Sequence, residues 1–336
     1  MSLPAGKLPA PLLGRLLDEM GPWPPEVRVG PAVGEDACAL DVPAGVLVAA
    51  TDPITLTGRR IGSLAVTINA NDVAVMGVRP RWFLATVLLP VGITDADVEA
   101  LFGAMRGALA TVGAALVGGH TEITDVVDQP VVVGQMLGMA EDGRVVSTAG
   151  ARPGDVVVQV GPAPVEGAAV LAAEATGGLG GLDPAVVEAA AAGLDDPGIS
   201  VVDGALAAAE LGATALHDPT EGGLAAGLHE LAAASGAAVR LDESQVRWFE
   251  PGLAVCRALA ADPWATLASG ALLASFPPAT AAPAVEALAA QGYAVAAIGT
   301  LEAGSGVRDL DDQPVAWPDR DEVARLLVAG RDDVER

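Results

Sequence analysis

Residues 61–90, IGSLAVTINANDVAVMGVRPRWFLATVLLP, constrain the fold of this chain more than any other stretch. Apolar residues recur at helical spacing up to Gly77 and fill most positions between, which predicts a buried helix followed by a strand over 81–89. Asn71 and Asp72 nevertheless lie in the middle of this helix. A buried carboxylate costs several kcal/mol unless it is paired or bound to a cation. Two interpretations of Asp72 stay open: it binds a metal ion, or it hydrogen-bonds neighbouring backbone.

Composition excludes several classes of function. The chain has 336 residues, enough for two domains with full cores, and a formal net charge of −25 from 43 acidic and 18 basic residues. Such a surface repels nucleic-acid phosphates, so no nucleic-acid partner is expected. The two cysteines form neither a disulfide framework nor a zinc motif, and no apolar run reaches transmembrane length or forms a signal peptide. We therefore expect a cytoplasmic protein with no membrane partner.

Alternating strand and helix patterns predict an α/β (α+β) chain of two domains. The pattern changes at Pro153-Gly154-Asp155, before which the candidate site carboxylates cluster and after which a second α/β pattern begins. We expect an N-terminal domain over residues 1–150, a C-terminal domain over 151–303 and an acidic extension over 304–336.

Two polar segments are predicted to be turns that follow strands: GGHTE at 118–122 and HDPTEGG at 217–223. The second turn opens a helix, whose N-terminal amides favour an anion. The only lysine, Lys7, lies on an arm over residues 5–7 that is predicted to be flexible. Two interpretations of Lys7 stay open: its amine reaches a nucleotide phosphate, or it is an ordinary solvated lysine.

Three aspartates, Asp36, Asp52 and Asp72, lie on three different predicted elements. Mg²⁺ prefers carboxylates together with substrate phosphates and keeps several of its waters. Carboxylates on separate elements can therefore hold magnesium ions around a triphosphate, which would be ATP binding without a P-loop. No single spacing among the three aspartates is diagnostic of such a site.

Five segments together resemble the signature blocks of one superfamily. They are GEDACAL, TDPIT, INANDVAVMG, VGGHTEIT and HDPTEGGLAAGLHELAAASG. In order and spacing they are similar to the PurM-like superfamily of aminoimidazole ribonucleotide (AIR) synthetase, selenophosphate synthetase, thiamine-monophosphate kinase and the hydrogenase maturation factor HypE. The resemblance covers roughly residues 5–303 and is nearest to the HypE-like, AIR synthase-related branch.

The resemblance implies a two-domain PurM-like fold whose N-terminal domain binds ATP and whose sheet completes a barrel across a homodimer. It implies an enzyme that uses ATP and Mg²⁺ to activate or phosphorylate an external acceptor, either a small molecule or a peptide-borne group. Carried over residue by residue, it makes the three aspartates metal ligands. It also implies that Asn71 contacts the nucleotide or a metal-bound water, and that Gly118 and Gly119 let the backbone approach the phosphates.

The chain departs from these families at His120, where thiamine-monophosphate kinases and HypE have aspartate. Because histidine is a poor ligand for Mg²⁺, Glu122 can take over that role, and His120 can contact a phosphate or act as an acid or base. The alternative is that His120 only hydrogen-bonds its turn. The resemblance implies that the turn with Asp218 and Glu221 faces the nucleotide. We predict catalytic roles for these four residues, with helix capping as the alternative for Asp218.

The sequence favours three candidate functions to different degrees. HypE carries its reacting cysteine at its C-terminus, whereas this sequence has no cysteine after Cys256, so an external acceptor is expected. A thiamine-monophosphate kinase would need aspartate after Gly119 and a DxSDG-type turn at 218–223, and neither is present. A non-catalytic nucleotide-binding partner protein is disfavoured, because a site that has lost its function is not expected to keep buried charged residues.

Overall fold

The computed structural model describes residues 6–7, 9–31, 38–54, 60–175 and 177–327. These residues divide into two compact units, the first ending at Val145 and the second beginning at Val146 and also containing Val75–Gly77. The predicted domain limits at 150 and 303 stay predictions. Within the described ranges, no helix combines the length and hydropathy needed to cross a bilayer.

The described part of the first unit contains seven strands and three helices. In chain order they are β1 (Gly6–Lys7), α1 (Ala10–Met20), β2 (Val27–Val29), β3 (Ala39–Leu40), β4 (Val46–Ile54), α2 (Ile61–Ala74), β5 (Pro80–Pro90), α3 (Asp95–Val112), β6 (Ala115–Thr124) and β7 (Val131–Ala140). Five strands form one sheet in the order β1-β6-β5-β7-β4, in which β5 and β6 are parallel and β7 is antiparallel to both neighbours. The strands β2 and β3 form a separate antiparallel pair.

Helix α2 confirms the prediction of a buried helix before a strand. Eleven of its 14 residues are buried, including Asn69 and Asn71, while Asp72 is half-buried. The helix packs against α3 and against the sheet strands β4 and β7. The next helix, α3, begins with a capping box, in which Thr94 and Asp97 each bond the other's backbone N–H.

Two predictions of local structure in the first unit are wrong. Residues 118–122 are not a turn but part of β6, because they pair with β5 from Trp82 to Pro90 and this ladder outweighs their turn-like composition. Glycine is required at position 119, because at its φ of 144° an added Cβ would lie 2.0 Å from the carbonyl oxygen of Ala85. Gly6 and Lys7 are not a free arm, since their backbones pair with Ile123 and Glu122.

The two faces of the first unit's sheet are covered by other parts of the chain to different extents. One face packs against α2, and alternate positions of β5 and β7 on that face are buried. The positions between them point to the opposite face, where apolar side chains are half-buried or exposed: Leu47, Leu84, Leu88, Val133, Leu137 and Met139. This open face is therefore largely apolar and only partly covered in the single chain.

The described part of the second unit contains six strands and six named helices. They are β8 (Val156–Val160), α4 (Glu166–Glu174), α5 (Pro184–Ala191), α6 (Val202–Glu210), β9 (Ala215–His217), α7 (Gly223–Ser235), β10 (Ala238–Leu241), α8 (Glu250–Ala258), β11 (Leu272–Phe276), α9 (Pro278–Ala290), β12 (Val295–Glu302) and β13 (Gly306–Asp309). The strands form one sheet in the order β13-β10-β12-β8-β11-β9. Residues 322–327 are also helical.

Candidate nucleotide and acceptor sites

Two of the three predicted metal ligands meet in the first unit. Asp52 lies on β4 and Asp72 on α2, and their carboxyl groups share a hydrogen bond. Burial, the charge of Asp52 and this hydrogen bond raise the pKa of Asp72 to about 7. Burial also raises the pKa of Asp52. Two carboxyl groups in this arrangement compete for one proton, and a divalent cation can take the place of that proton. The third aspartate, Asp36, lies outside the described residues.

A buried amide fixes Asp52 against α2. The Oδ1 atom of Asn69 accepts a hydrogen bond from the backbone N–H of Asp52 at 2.8 Å. Its Nδ2 atom donates to the carbonyl oxygens of Asp52 at 3.2 Å and Ala65 at 2.8 Å. Asn69 is fully buried, so these bonds satisfy groups that water does not reach. The amide therefore positions the residue that carries one of the two carboxyl groups.

Gly134→Ala is expected to loosen this arrangement. An added Cβ would lie 2.3 Å from Nδ2 of Asn69 and 2.8 Å from Cε2 of Phe83. Overpacking of this kind costs roughly 1–3 kcal/mol, and here it also displaces the amide that holds Asp52. We expect differential scanning calorimetry to show a lower unfolding midpoint. Gly103→Ala in α3 is the matched control: nothing lies within 4 Å of its added Cβ, so its midpoint should stay or rise. Equal midpoints in the two variants would contradict the expectation.

Strand β6 carries four of the other predicted site residues. The side chains of His120 and Glu122 are 49% and 41% exposed, with 3.4 Å between Nε2 and Oε2. They are in register with Thr86 and Leu88, on the open face, whereas Asp52 faces α2. The structure therefore does not bring His120 and Glu122 to the aspartate pair within one subunit.

Glycines and a lysine complete the predicted nucleotide contacts. Gly118 and Gly119 lie in β6, and Gly119 is level with Asp52 in the sheet through Ala85 and Gly134. Three strand spacings separate them, roughly 14 Å. Asn71 is fully buried within α2, and only the backbone of Lys7 is described. The roles of these residues, and those of the three aspartates, stay predictions.

The second predicted turn precedes α7 in the second unit. Asp218 is buried, Glu221 is exposed, and Gly222 and Gly223 both have positive φ, at 79° and 66°. The anion that the helix N-terminus favours is supplied by the chain itself, because Oδ2 of Asp321 accepts a hydrogen bond from Gly222 N–H at 2.8 Å. Asp321 comes from the segment after β13, 99 residues away, so nothing near the turn in the sequence could indicate it.

A further buried carboxyl group lies beside this turn. Glu166 begins α4 and is 8% exposed. Burial raises its pKa to about 7, the neighbouring Ser269 hydroxyl lowers it, and the charges of Asp321 and Glu221 raise it. Sequence reasoning gave Glu166 no role, because a glutamate in the first turn of a helix is ordinary. The catalytic roles of Asp218 and Glu221 stay predictions.

The surroundings of His217, His229 and Cys256 indicate structural roles for these three residues. His229 stacks on Trp317 with ring centroids 5.0 Å apart, and its Nε2 lies 3.0 Å from the carbonyl oxygen of Val315. His217 Nε2 lies 2.8 Å from a carboxylate oxygen of Glu230. Cys256 is fully buried, and burial raises the pKa of its thiol, which makes it a poor nucleophile at neutral pH.

Comparison with known proteins identifies the family. The model of the N-terminal domain of AIR synthase related proteins matches residues 34–140, and that of the C-terminal domain matches residues 152–311. The chain belongs to the AIR synthase-related protein family. Carbamoyl dehydratase HypE of Azotobacter vinelandii is 33% identical over 277 residues, which are 80% of this chain and 79% of that protein. The corresponding protein of Cupriavidus necator is 31% identical over 249 residues, 72% of this chain and 68% of that protein.

Solved structures agree with this AIR synthase-related assignment. The crystal structure of E. coli HypE superposes with a TM-score of 0.76 at 24% identity, covering 94% of this chain and 99% of that one. This likeness, with the two matched domains, confirms the predicted two-domain PurM-like α/β fold. The prediction that the chain is an enzyme of this superfamily is also confirmed, since its relatives include carbamoyl dehydratases and a thiamine-monophosphate kinase.

Proposed function

We propose that this AIR synthase-related protein is an ATP- and Mg²⁺-dependent enzyme that activates or phosphorylates a small-molecule or peptide-borne acceptor. The observation that carries the proposal is the pair of carboxyl groups of Asp52 and Asp72, held in place by Asn69. The relatives named HypE are carbamoyl dehydratases, and one solved HypE structure, with a TM-score of 0.75 at 23% identity, is a complex with ATP.

The donor set fits Mg²⁺. In the part of the chain that the structure describes, no three His, Cys, Asp or Glu side chains are arranged to hold a metal ion. Mg²⁺ needs no such cage, because it commonly uses one or two carboxylates together with waters and substrate phosphates. Asp52 and Asp72 are two oxygen donors on separate elements, and the predicted third ligand, Asp36, would add another.

In this proposal the chain's own residues bind and orient the nucleotide. Asp52 and Asp72 would hold Mg²⁺, which supplies charge neutralisation at the phosphates. Such neutralisation matters here, because a protein of net charge −25 otherwise repels ATP. Gly118 would let the strand backbone approach a phosphate, whereas the space that a side chain at Gly119 would need is filled by the carbonyl group of Ala85. The turn with Asp218 and Glu221 would receive the acceptor.

Calorimetric titration and a turnover assay test this proposal. ATP should bind saturably in the presence of Mg²⁺ and much more weakly in EDTA. Purified protein should release ADP or AMP faster when pooled metabolites or peptides from a cell extract supply the acceptor. Absence of nucleotide binding in saturating Mg²⁺ would refute the proposal. Binding without any turnover would instead support the non-catalytic alternative.

We also propose that the protein is a homodimer through the open face of its first sheet. Leu137 and its neighbours expose apolar surface there, and such surface on a sheet is commonly covered by another chain. In this dimer His120 and Glu122 would lie at the interface, since they share the open face. Residues on the open face and residues on the α2 face could then belong to one nucleotide site only if the second subunit supplied one of the two sets.

Leu137→Glu is expected to convert this dimer into monomers. Leu137 lies in register with Ala49 and Trp82, in the interior of the sheet, so a charge there would be buried in the interface. Light scattering at micromolar concentration should give about twice the chain mass for the wild type and the chain mass for the variant. Val126→Glu is the control, because Val126 is 77% exposed in a loop outside the sheet. A monomeric wild type would refute the dimer.

A further inference from the structure

Carboxyl groups accumulate beside the N-terminus of α7 in the second unit. Glu166 and Asp321 are 8% and 6% exposed, and Glu221 lies at the surface beside them. The charges that act on Glu166 are those of Asp321 and Glu221, and the charge that acts on Asp321 is that of Glu221. We call these three residues the acidic cluster. Its members repel one another in a poorly hydrated environment, which is costly unless a carboxyl group is protonated or a cation joins them.

Backbone hydrogen bonds hold the acidic cluster together. The N–H of Gly167, next to Glu166, donates to the carbonyl oxygen of Leu267 at 2.9 Å. The N–H of Ala268 donates to the carbonyl oxygen of Thr220 at 3.2 Å, next to Glu221. Asp321 bonds Gly222 N–H directly. Four separate segments are thus fixed around one place, so the concentration of charge is built into the fold.

A buried hydroxyl group lies beside Glu166. Ser269 is 1% exposed, and its Oγ atom forms no hydrogen bond of standard geometry with the residues that the structure describes. It nevertheless lies near enough to the Glu166 carboxyl to lower the pKa of that group. Leaving a buried hydroxyl without a good partner costs roughly 1–3 kcal/mol. A ligand that donates N–H groups beside Glu166 would supply the missing partner, because a hydroxyl oxygen can accept.

The chemistry of the surroundings limits what this ligand can be. The arginines nearest to Asp321 in the sequence form other interactions: Arg320 donates to the carbonyl oxygen of Ala324, and Arg325 binds Glu322. A metal ion that needs three protein ligands does not suit the cluster, because no three acidic, histidine or cysteine side chains in the described ranges are arranged to ligate one. An organic cation with several N–H groups can instead donate to the carboxylates and to the Ser269 hydroxyl oxygen at the same time.

We infer that Glu166, Glu221 and Asp321, with the Ser269 hydroxyl, bind an organic cation that carries N–H groups, a primary ammonium or a guanidinium. Glu221 is exposed at the surface, whereas Glu166 and Asp321 are buried. Asp321 keeps acceptor capacity for the ligand, since a carboxylate has about four lone-pair positions and three backbone N–H groups, those of Gly222, Val323 and Ala324, use part of them. The inference rests on the proposed function in one respect only: it gives the acceptor this cationic group.

Titration calorimetry of the purified full chain at pH 8, without nucleotide, tests the inference. The probes are n-propylammonium and methylguanidinium, and the controls are propionate, n-propanol and tetramethylammonium, which has no N–H group. We expect at least one N–H cation to bind saturably and the three controls not to bind. Glu166→Gln and Glu221→Gln should each weaken that binding about tenfold or more, because each removes a charge-assisted hydrogen bond. Glu188→Gln, an exposed glutamate of α5, should bind as the wild type does.

Three results would overturn the inference. They are no saturable binding of either N–H cation to the wild type, unchanged binding in both Glu166→Gln and Glu221→Gln, and equal binding of tetramethylammonium or sodium. Glu221→Gln keeps the test valid if Glu166→Gln folds poorly, since Glu221 is exposed. ATP binding in Mg²⁺ is measured separately. Its loss would refute the proposed function and leave a cation site standing, whereas its presence without cation binding would refute the cation site alone.

Discussion

Asp72→Asn is expected to abolish Mg²⁺-dependent binding of ATP while leaving the fold intact. Asparagine keeps the shape of the side chain but removes the charge that a metal ion requires, and the remaining Asp52 would be a single carboxylate ligand among the described pair. Loss of a metal ligand should cost several kcal/mol of nucleotide affinity, more than about 100-fold in Kd. Titration calorimetry with ATP and Mg²⁺ measures this loss directly.

The fold of the Asp72→Asn variant should be at least as stable as that of the wild type at pH 8. Burial and the neighbouring Asp52 both disfavour the charged form of Asp72, so removing the charge relieves that repulsion. Asp125→Asn is the matched control, because Asp125 is an exposed aspartate of the same unit. It should bind ATP as the wild type does. Unchanged ATP affinity in Asp72→Asn would remove this residue from the nucleotide site.

The central helix was predictable because its signal is local and continuous. Apolar residues occupy nearly all of α2, and a helix of that kind is buried wherever it occurs in a compact unit. The polar residues within it then indicate a site, since burying them requires partners. The exact partner was not predictable: Asn69 bonds the backbone of Asp52, and backbone groups leave no trace in the sequence.

Strand β6 shows where local reasoning fails. Its segment Gly118 to Glu122 has the composition of a turn, and no local feature marks it as the partner of β5. The parallel ladder decides the conformation, and Gly119 is required by close backbone approach rather than by a reversal of the chain. Asp321 is a similar case, because only the three-dimensional structure places it on Gly222. Long-range pairing of this kind is what a single sequence specifies least directly.

Glu166→Gln is expected to stabilise the protein at pH 8 and to have little effect at pH 4. Below the ordinary glutamate pKa of 4.5, the side chain is protonated in both the folded and the unfolded chain, so the wild type bears no ionisation penalty. Between pH 4.5 and about 7 the unfolded chain releases the proton while the folded chain keeps it. The free energy of unfolding of the wild type therefore falls by roughly 1.4 kcal/mol per pH unit, about 3 kcal/mol in all.

Glutamine cannot ionise, so the variant should lack this decline. Above pH 7 it should unfold several degrees higher than the wild type, because about 3 kcal/mol corresponds to roughly 6–12 °C for a unit of this size. Scanning calorimetry at several values between pH 4 and pH 8 measures the difference, with Glu188→Gln as the exposed control. Parallel profiles for the wild type and Glu166→Gln would show that the carboxyl is ionised in the folded protein at every pH tested. In that case a partner of opposite charge must lie beside it, and the surroundings of Glu166 would not be the uncompensated acidic cluster described above.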